Sequence, residues 1–285
     1  MTQYQRTIDS NINCSGIGLH SGKEVNITLK PAATDDGIVF KRTDIKDKDN
    51  IIKASYLNVT QTNLGTVITN KDKVSVSTIE HFMAAIWCLE IDNLLIEIDN
   101  DEMPILDGSS EPFIFLLECA GKKQQAAERK TIEIIKEFSF GDGDKFVTVK
   151  PAANFSIDLE INFDNPQIKE LKYQFNEERS SFKSDISRAR TFCFKKEIDY
   201  MHKNGLAKGG SLDNAIVVDD NAILNKDPLR YKDEFVKHKI LDFIGDIYLA
   251  GNRISGEFTA YKTGHSLNNQ FLKELLKDQN NWRLI

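Results

Sequence analysis

The chain has 285 residues, of which 40% are hydrophobic and 28% are charged, as in a globular protein with one large domain or two medium ones. The formal net charge of -6 argues against nucleic acid as a partner, because no general positive field would attract the phosphates. The longest apolar run, 82–89, is too short for a transmembrane segment, and the N-terminus lacks the apolar region of a signal peptide, so we expect a cytoplasmic protein.

Four cysteines are scattered along the chain and form no CxxC pair. This spacing predicts neither a disulfide framework nor a cysteine metal site, so we expect reduced thiols. The four are Cys14, Cys88, Cys119 and Cys193.

The first half of the chain is predicted to place strands before helices. Glycines punctuate residues 15–22, and residues 24–30 alternate as a half-buried strand should. A hydroxyl residue before an acidic one then predicts the capped start of a helix over 78–90, followed by a short strand at 94–98. A second helix is predicted over 111–120.

Residues 122–130 are charged, rich in Gln and unpatterned, which predicts a linker. After it, the Lys-Pro-Ala-Ala sequence of residues 30–33 recurs at 150–153, each time at the end of an alternating strand. A four-residue match alone has coincidence as its explanation, but both halves also place strands before helices. We therefore predict an α+β fold of two duplicated domains, 1–124 and 130–285, each with a β-sheet packed on helices.

The second half contains a helix over 234–250 and a strand over 254–261. It also has an extra stretch at about 193–224, in which 194–203 is predicted to be helical and 215–218 to be a strand. We predict a small β-α-β insertion there. Such an insertion either shapes a ligand channel or serves as a stabilising flap, and the sequence favours neither role.

The helix over 234–250 carries His238, Asp242 and Asp246 at four-residue intervals, which places them on nearly one face. Nitrogen and oxygen ligands in this arrangement suit zinc or a similar divalent ion, whereas a solvated His–Asp pair is the alternative. Gly245 costs the helix about 1 kcal/mol relative to Ala, so we expect another part of the chain to come close there.

The missing ligand is expected from the corresponding helix of the first half. Packing of duplicated halves would bring His81 to His238 and Asp242, which predicts a zinc site of two histidines and one carboxylate with an open fourth position. Glu80, next to His81, is the candidate general base. Its alternative role is that of an acidic residue stabilised by the helix dipole.

Three further groups are candidates for the same site. His265 lies in a Gly-rich turn after a strand; as an imidazolium held by Asp246 it would serve as acid and as partner of a developing oxyanion, or it is a surface residue. Lys239 points about 100° around the helix from His238, either toward an anionic substrate group or into solvent. Thr191 and Phe192 would contribute a hydroxyl and an apolar wall.

Several of these motifs, in order along the chain, resemble the zinc-dependent UDP-3-O-acyl-N-acetylglucosamine deacetylases, the LpxC family. They include Ser-Thr-Ile-Glu-His at 77–81 and His-Lys-Ile-Leu-Asp-Phe-Ile-Gly-Asp at 238–246. The resemblance runs from the first strand to about residue 280. The other matching segments are 15–22, 105–109, 188–192 and 262–269.

The resemblance implies a duplicated α+β fold and the committed step of lipid A synthesis in Gram-negative bacteria. In that step the acetamide of UDP-3-O-(3-hydroxyacyl)-N-acetylglucosamine is hydrolysed to acetate and a free glucosamine nitrogen. The expected cofactor is Zn2+, with Fe2+ as the alternative. The expected partner is the acylated UDP-sugar, and we expect a monomer.

The resemblance also implies a role for each residue of the site. His81, His238 and Asp242 would hold the metal, and Glu80 would be the base. His265, with Asp246, would be the acid, and Thr191 would face the oxygen of the tetrahedral intermediate. Lys239 would lie at the nucleotide end, and Phe163 would stack on uracil. An acyl passage would be closed by Leu19 and formed by Phe192, Phe194, Ile198, Ala207, Ser211, Ala215 and Val217.

Two alternatives stay open at the level of sequence. One is a catalytically silent protein that binds a nucleotide sugar or lipid intermediate; it is disfavoured because every residue of the machinery is present. The other is a related metal amidase that acts on a different acylated amino sugar.

Overall fold

The computed structural model describes residues 3–168 and 170–285, and its first half is built of strands followed by helices, as predicted. Buried and exposed residues alternate along its longer strands because successive side chains point to opposite faces. The elements are β1 (Tyr4–Ile8), β2 (Ile12–Ile17), β3 (Glu24–Pro31), β4 (Ile38–Arg42), β5 (Ile51–Lys53), β6 (Val59–Gln61), β7 (Val67–Thr69), β8 (Ser75–Val76), α1 (Glu80–Leu89), β9 (Leu94–Ile98), α2 (Glu111–Ala120) and β10 (Lys122–Glu128), with a 3-10 turn at Tyr56–Asn58.

Two sheets organise this half. A five-stranded sheet has the order β2-β3-β9-β4-β5, with β4 and β9 parallel and the other pairs antiparallel. Helix α1 packs on it, and the rings of Phe40 in β4 and Phe82 in α1 lie 6.4 Å apart. A smaller antiparallel sheet, β6-β7-β8, supports the loop at residues 62–66.

The prediction of a linker over 122–130 is wrong, because Lys122–Glu128 form strand β10. This strand pairs antiparallel with β1, from Ile8 opposite Lys122 to Tyr4 opposite Glu128. Next to it, the buried Arg129 donates hydrogen bonds to Asp92 and to the carbonyl of Glu90. Most side chains of β10 are exposed, so the sequence shows no hydrophobic alternation there. The division into domains 1–124 and 130–285 stays a prediction.

The second half again places a sheet before its principal helices. In its seven-stranded sheet, the strand β18 (Arg253–Tyr261) pairs parallel with two strands and antiparallel with a third. The elements are β11 (Thr131–Ile134), β12 (Phe138–Asp142), β13 (Lys145–Lys150), β14 (Phe155–Ile161), β15 (Leu171–Asn176), α3 (Phe182–Asp185), β16 (Phe192–Phe194), α4 (Lys195–Lys203), β17 (Ile216–Val218), α5 (Glu234–Ile247), β18 (Arg253–Tyr261), α6 (His265–Lys277) and β19 (Trp282–Leu284), with a 3-10 turn at Tyr248–Ala250.

Strand β16, helix α4 and strand β17 form a β-α-β unit in which the two strands pair in parallel. The type and order of these elements agree with the sequence pattern over 193–224. Its status as an insertion relative to the first half stays a prediction. Within the part of the chain that the structure describes, no helix has the length and apolarity needed to cross a membrane.

Helices α1 and α5, one from each half, pack directly against each other at Gly245. A Cβ atom at Gly245 would collide with the backbone carbonyl of Glu80, so only glycine allows this approach. The prediction that another part of the chain comes close at Gly245 is therefore confirmed. The contact sets the first turn of α1 against the last turn of α5, and the candidate site lies beside it.

Candidate active site

Three candidate metal ligands converge where α1 meets α5. His81 lies in the first turn of α1, and His238 and Asp242 lie one turn apart on α5. Asp242 Oδ1 is 3.5 Å from His81 Nε2 and 3.3 Å from His238 Nε2. The ligand atoms of all three residues lie within 4.8 Å of one another, and all three side chains are buried.

The hydrogen bonding of these residues fits a divalent cation. Asp242 Oδ1 is buried and, among the described residues, accepts no hydrogen bond, although such an atom is normally satisfied. His238 donates from Nδ1 to the carbonyl of Ala189 at 2.9 Å, which leaves the lone pair of Nε2 facing Asp242. Burial lowers the pKa of His238 to about 3, so its imidazole is neutral, the form that binds metal.

Lys239 is bound to the proposed ligand Asp242. Its Nζ donates to Asp242 Oδ2 at 2.7 Å and lies 5.6 Å from the centre of the Phe192 ring. Burial opposes ionisation of Asp242, but the ammonium group of Lys239 holds its pKa well below the usual range. The lysine therefore stabilises an ionised ligand, and its contact with the nucleotide stays a prediction.

The start of α1 differs from the predicted hydroxyl cap. Thr78 has a left-handed backbone with φ of +57°, and its hydroxyl donates to Glu102 instead of capping the helix. Ile79 precedes the first helical residue and provides no side-chain cap. Glu80 is buried and accepts a hydrogen bond from the backbone N–H of Thr66 at 2.9 Å.

The sequence pattern predicted that His265 lies in a turn. This prediction is wrong, because His265 is the first residue of helix α6. The helix starts directly after the extended backbone of Gly264. His265 donates from Nδ1 to Asp246 at 2.8 Å, and its Nε2 lies 3.9 Å from Glu80 Oε1. Burial alone would lower the pKa of His265, but the carboxylates of Asp246 and Glu80 outweigh it and raise this pKa to about 10.

Asp246 has two further buried partners that the sequence analysis missed. Thr66 donates its hydroxyl to Asp246 Oδ1 at 2.6 Å, and Asn268 donates its amide to Oδ2 at 2.8 Å. Asn268 follows His265 by three residues on α6, so helical spacing would have pointed to it once the helix start was known. No local signal marks Thr66.

A cleft of about 660 Å³ surrounds these groups. The proposed ligands, Glu80 and His265 line it, and so do five other predicted site residues: Leu19, Phe163, Thr191, Phe192 and Lys239. Lys145, Lys262 and Asp142, to which the sequence analysis assigned no role, also line it, and Lys262 forms an ion pair with Asp144 at 2.7 Å.

Six residues predicted for the acyl passage lie outside the lining of this cleft. Phe194 packs on Phe163, with ring centres 5.5 Å apart. The others belong to the region from α4 to β17, where two are buried, two are half-buried and one is exposed: Ala215, Val217, Ile198, Ala207 and Ser211. Their role in an acyl passage stays a prediction, as does uracil stacking by Phe163.

A buried ion pair that the sequence analysis missed supports the segment before Thr191. Glu234 is fully buried and accepts hydrogen bonds from the backbone N–H and the Nε of Arg190 at 3.0 and 2.9 Å. The same segment provides the Ala189 carbonyl that orients His238. Thr191 then donates its own N–H to the carbonyl of Gly108 at 2.9 Å.

Comparison with known proteins covers almost the whole chain. Residues 5–277 match the family described as UDP-3-O-acyl N-acetylglycosamine deacetylase, LpxC. Proteins named UDP-3-O-acyl-N-acetylglucosamine deacetylase from Shewanella frigidimarina and Shewanella violacea are each 48% identical to this chain, over 284 and 286 residues. One of the same name from Shewanella piezotolerans is 47% identical over 284 residues. Each comparison covers 99% of this chain and 92% of the relative.

Proposed function

The chain belongs to the UDP-3-O-acyl-N-acetylglucosamine deacetylase (LpxC) family, and from this premise we propose that it hydrolyses the acetamide of UDP-3-O-[(3R)-3-hydroxyacyl]-N-acetylglucosamine. The products are acetate and the free glucosamine amine, and the reaction is the committed step of lipid A synthesis. The observation that carries the proposal is the convergence of His81, His238 and Asp242 in one cleft with Glu80 and His265.

We propose zinc as the metal that His81, His238 and Asp242 hold, with Fe2+ as the alternative. Two imidazole nitrogens and one carboxylate oxygen form a donor set that leaves a coordination position open. When bound, such an ion supplies Lewis acidity, which polarises an amide carbonyl and lowers the pKa of water. The unpaired Asp242 Oδ1 supports this assignment.

Glu80 is the general base in this proposal. Its carboxylate is held from one side by the Thr66 N–H and lies beside a proposed ligand, His81. It takes a proton from the attacking water as the new carbon–oxygen bond forms. Thr191 lines the same cleft, and its hydroxyl stabilises the oxygen of the tetrahedral intermediate.

His265 is the general acid. With a pKa raised to about 10, its imidazole carries a proton at neutral pH. It gives this proton to the amine nitrogen as the carbon–nitrogen bond breaks, and acetate leaves with the oxygen that water supplied. Asp246 keeps the ring oriented through Nδ1, so Nε2 is the atom that faces the reaction.

The remainder of the substrate is assigned to the rest of the cleft and its surroundings. Phe163 stacks on uracil, and Lys239 contacts the nucleotide end. The acyl chain extends past Phe192 toward the β16-α4-β17 unit, with Leu19 at the closing edge. Burial of each methylene at about 0.8 kcal/mol would favour an acylated sugar over one without the chain.

The direct test is to incubate the purified protein with UDP-3-O-(3-hydroxyacyl)-N-acetylglucosamine and to quantify both acetate and the free amine. We expect equimolar products, and far slower release from UDP-N-acetylglucosamine, which lacks the acyl chain. Binding of the acylated substrate without release of acetate would favour a catalytically silent binding protein. Faster release from a different acylated amino sugar would favour a related amidase.

A further inference from the structure

Thr66 contacts both halves of the proposed proton-transfer machinery. It lies immediately before strand β7 and is 1% exposed. Its backbone N–H donates to Glu80 Oε2 at 2.9 Å, and its hydroxyl donates to Asp246 Oδ1 at 2.6 Å. One residue therefore holds the carboxylate of the base and the carboxylate that orients the acid.

These contacts close a ring of four residues. Glu80 is joined to Thr66, Thr66 to Asp246, and Asp246 to His265 Nδ1 at 2.8 Å. The ring closes where His265 Nε2 lies 3.9 Å from Glu80 Oε1, on the side that faces the cleft. The separation between base and acid thus depends on the length of the bridge through Thr66.

The backbone of the loop that carries Thr66 lies close to Glu80. Gly65 has φ of +157°, and a Cβ atom there would lie 3.2 Å from Glu80 Oε1. The preceding carbonyl, of Leu64, accepts a hydrogen bond from His20 Nε2 at 3.1 Å. The loop backbone is therefore fixed close to Glu80 before the hydroxyl of Thr66 is considered.

We propose that Thr66 is a positioning residue that fixes the base Glu80 and, through Asp246, the acid His265 at one mutual distance. The inference rests on the proposed function. A hydroxyl donated to a buried carboxylate is a strong bond, and the carboxylate side chain loses a fixed direction without it. We expect this positioning to affect the chemical step and not substrate binding, because Thr66 is buried and does not line the cleft.

The test compares Thr66→Val with Thr66→Ser. Valine has the shape of threonine and keeps the N–H to Glu80, but it removes the donor to Asp246. We expect Thr66→Val to lower kcat about 10-fold with little change in KM, because only the alignment of base and acid is lost. Serine keeps the hydroxyl, so Thr66→Ser should retain most of the wild-type kcat. Thr66→Ala removes the same donor and replaces the valine variant if that one folds poorly.

Two controls separate positioning from general stability. Thr7, in strand β1, is also buried, and its hydroxyl accepts a hydrogen bond from the N–H of Ala32. Thr7→Val should therefore lower stability and leave kcat unchanged. In an Asp246→Ala background, Thr66→Val should have almost no further effect, because residues acting as a unit are not additive. A full additional loss in that background would overturn the route through Asp246.

A readout independent of turnover distinguishes this inference from the proposed function. The low-field proton resonance of His265 Nδ1–H reports its hydrogen bond to Asp246; it should shift in Thr66→Val and return in Thr66→Ser. Absence of acetate release by the wild type, with this pattern of shifts, would overturn the proposed function alone. An active wild type with unchanged kcat in Thr66→Val, or equal losses in the valine and serine variants, would overturn the positioning role.

Discussion

His238 is buried and His265 is half-buried in the cleft, and their surroundings move their pKa values in opposite directions. Burial lowers the pKa of His238 to about 3, whereas Asp246 and Glu80 overcome the effect of burial and raise that of His265 to about 10. One imidazole is therefore neutral, as the proposed metal ligation requires, and the other is charged, as the proposed proton donation requires. The difference arises from the two carboxylates around His265.

This difference predicts the pH dependence of turnover. Activity should fall as the pH rises through about 10, because His265 then loses the proton that it donates. The contribution of this proton to the free energy of unfolding also decreases as the pH rises. The folded pKa lies above the reference value of 6.5, so the contribution is complete below about pH 6.5 and is lost by about pH 10.

His265→Ala should lower kcat and remove this basic limb, as measured by kcat/KM across the pH range. His202, which is exposed on α4, offers a matched control, and His202→Ala should keep the limb. A limb that persists unchanged in His265→Ala would assign the proton donor to another residue.

Glu80→Gln tests the base separately from the metal. The amide still accepts the hydrogen bond from Thr66 but takes no proton from water, so we expect kcat to fall about 10²- to 10⁴-fold with full metal content. His238→Ala should lose both metal and turnover. Glu111 occupies the first turn of α2 as Glu80 does in α1, and Glu111→Gln should be fully active. A fully active Glu80→Gln enzyme would leave only the helix-dipole role for Glu80.

At the scale of elements, the site depends on how closely α1 approaches α5. The carbonyl of Glu80 occupies the space that a Cβ atom at residue 245 would need. Because His81 follows Glu80 directly, the same contact sets its distance to His238 and Asp242. The helix pair therefore holds the three proposed ligands, which come from two halves of the chain.

Gly245→Ala should reverse the usual effect of this substitution. In an unobstructed helix interior, alanine stabilises by about 1 kcal/mol. Here the added methyl group must push α1 away, so we expect destabilisation by about 1–3 kcal/mol and weaker zinc binding. Urea unfolding and a zinc titration measure the two effects. Greater stability with unchanged zinc affinity would show that the helix contact does not set the ligand geometry.

Elements with a strong apolar period could be predicted from the sequence, whereas those defined by polar or backbone contacts could not. Helix α5 was predicted because its apolar residues recur at three-to-four spacing. Strand β10 was missed because its partner β1 leaves most of its side chains exposed. The start of α1 was misassigned and helix α6 was missed, because neither helix has a side-chain cap.

At the scale of the whole molecule, the central part of the site was predictable because its ligands lie on two corresponding helices. The repeat pointed to contact between those helices, and that contact brings His81 to His238 and Asp242. Thr66 and Asp246 are 180 positions apart, and no repeat or period connects them. Contacts of that kind depend on how the three-stranded sheet packs, which single-sequence patterns do not encode.

In the proposed function, the two halves of the chain form one metal-dependent deacetylase site. The most direct measurement is acetate release from UDP-3-O-(3-hydroxyacyl)-N-acetylglucosamine by the purified protein, after chelation and again after stoichiometric zinc is added back. We predict that activity disappears on chelation and returns with zinc. Turnover that is unaffected by complete removal of metal, or absent in every metal state, would contradict the claim.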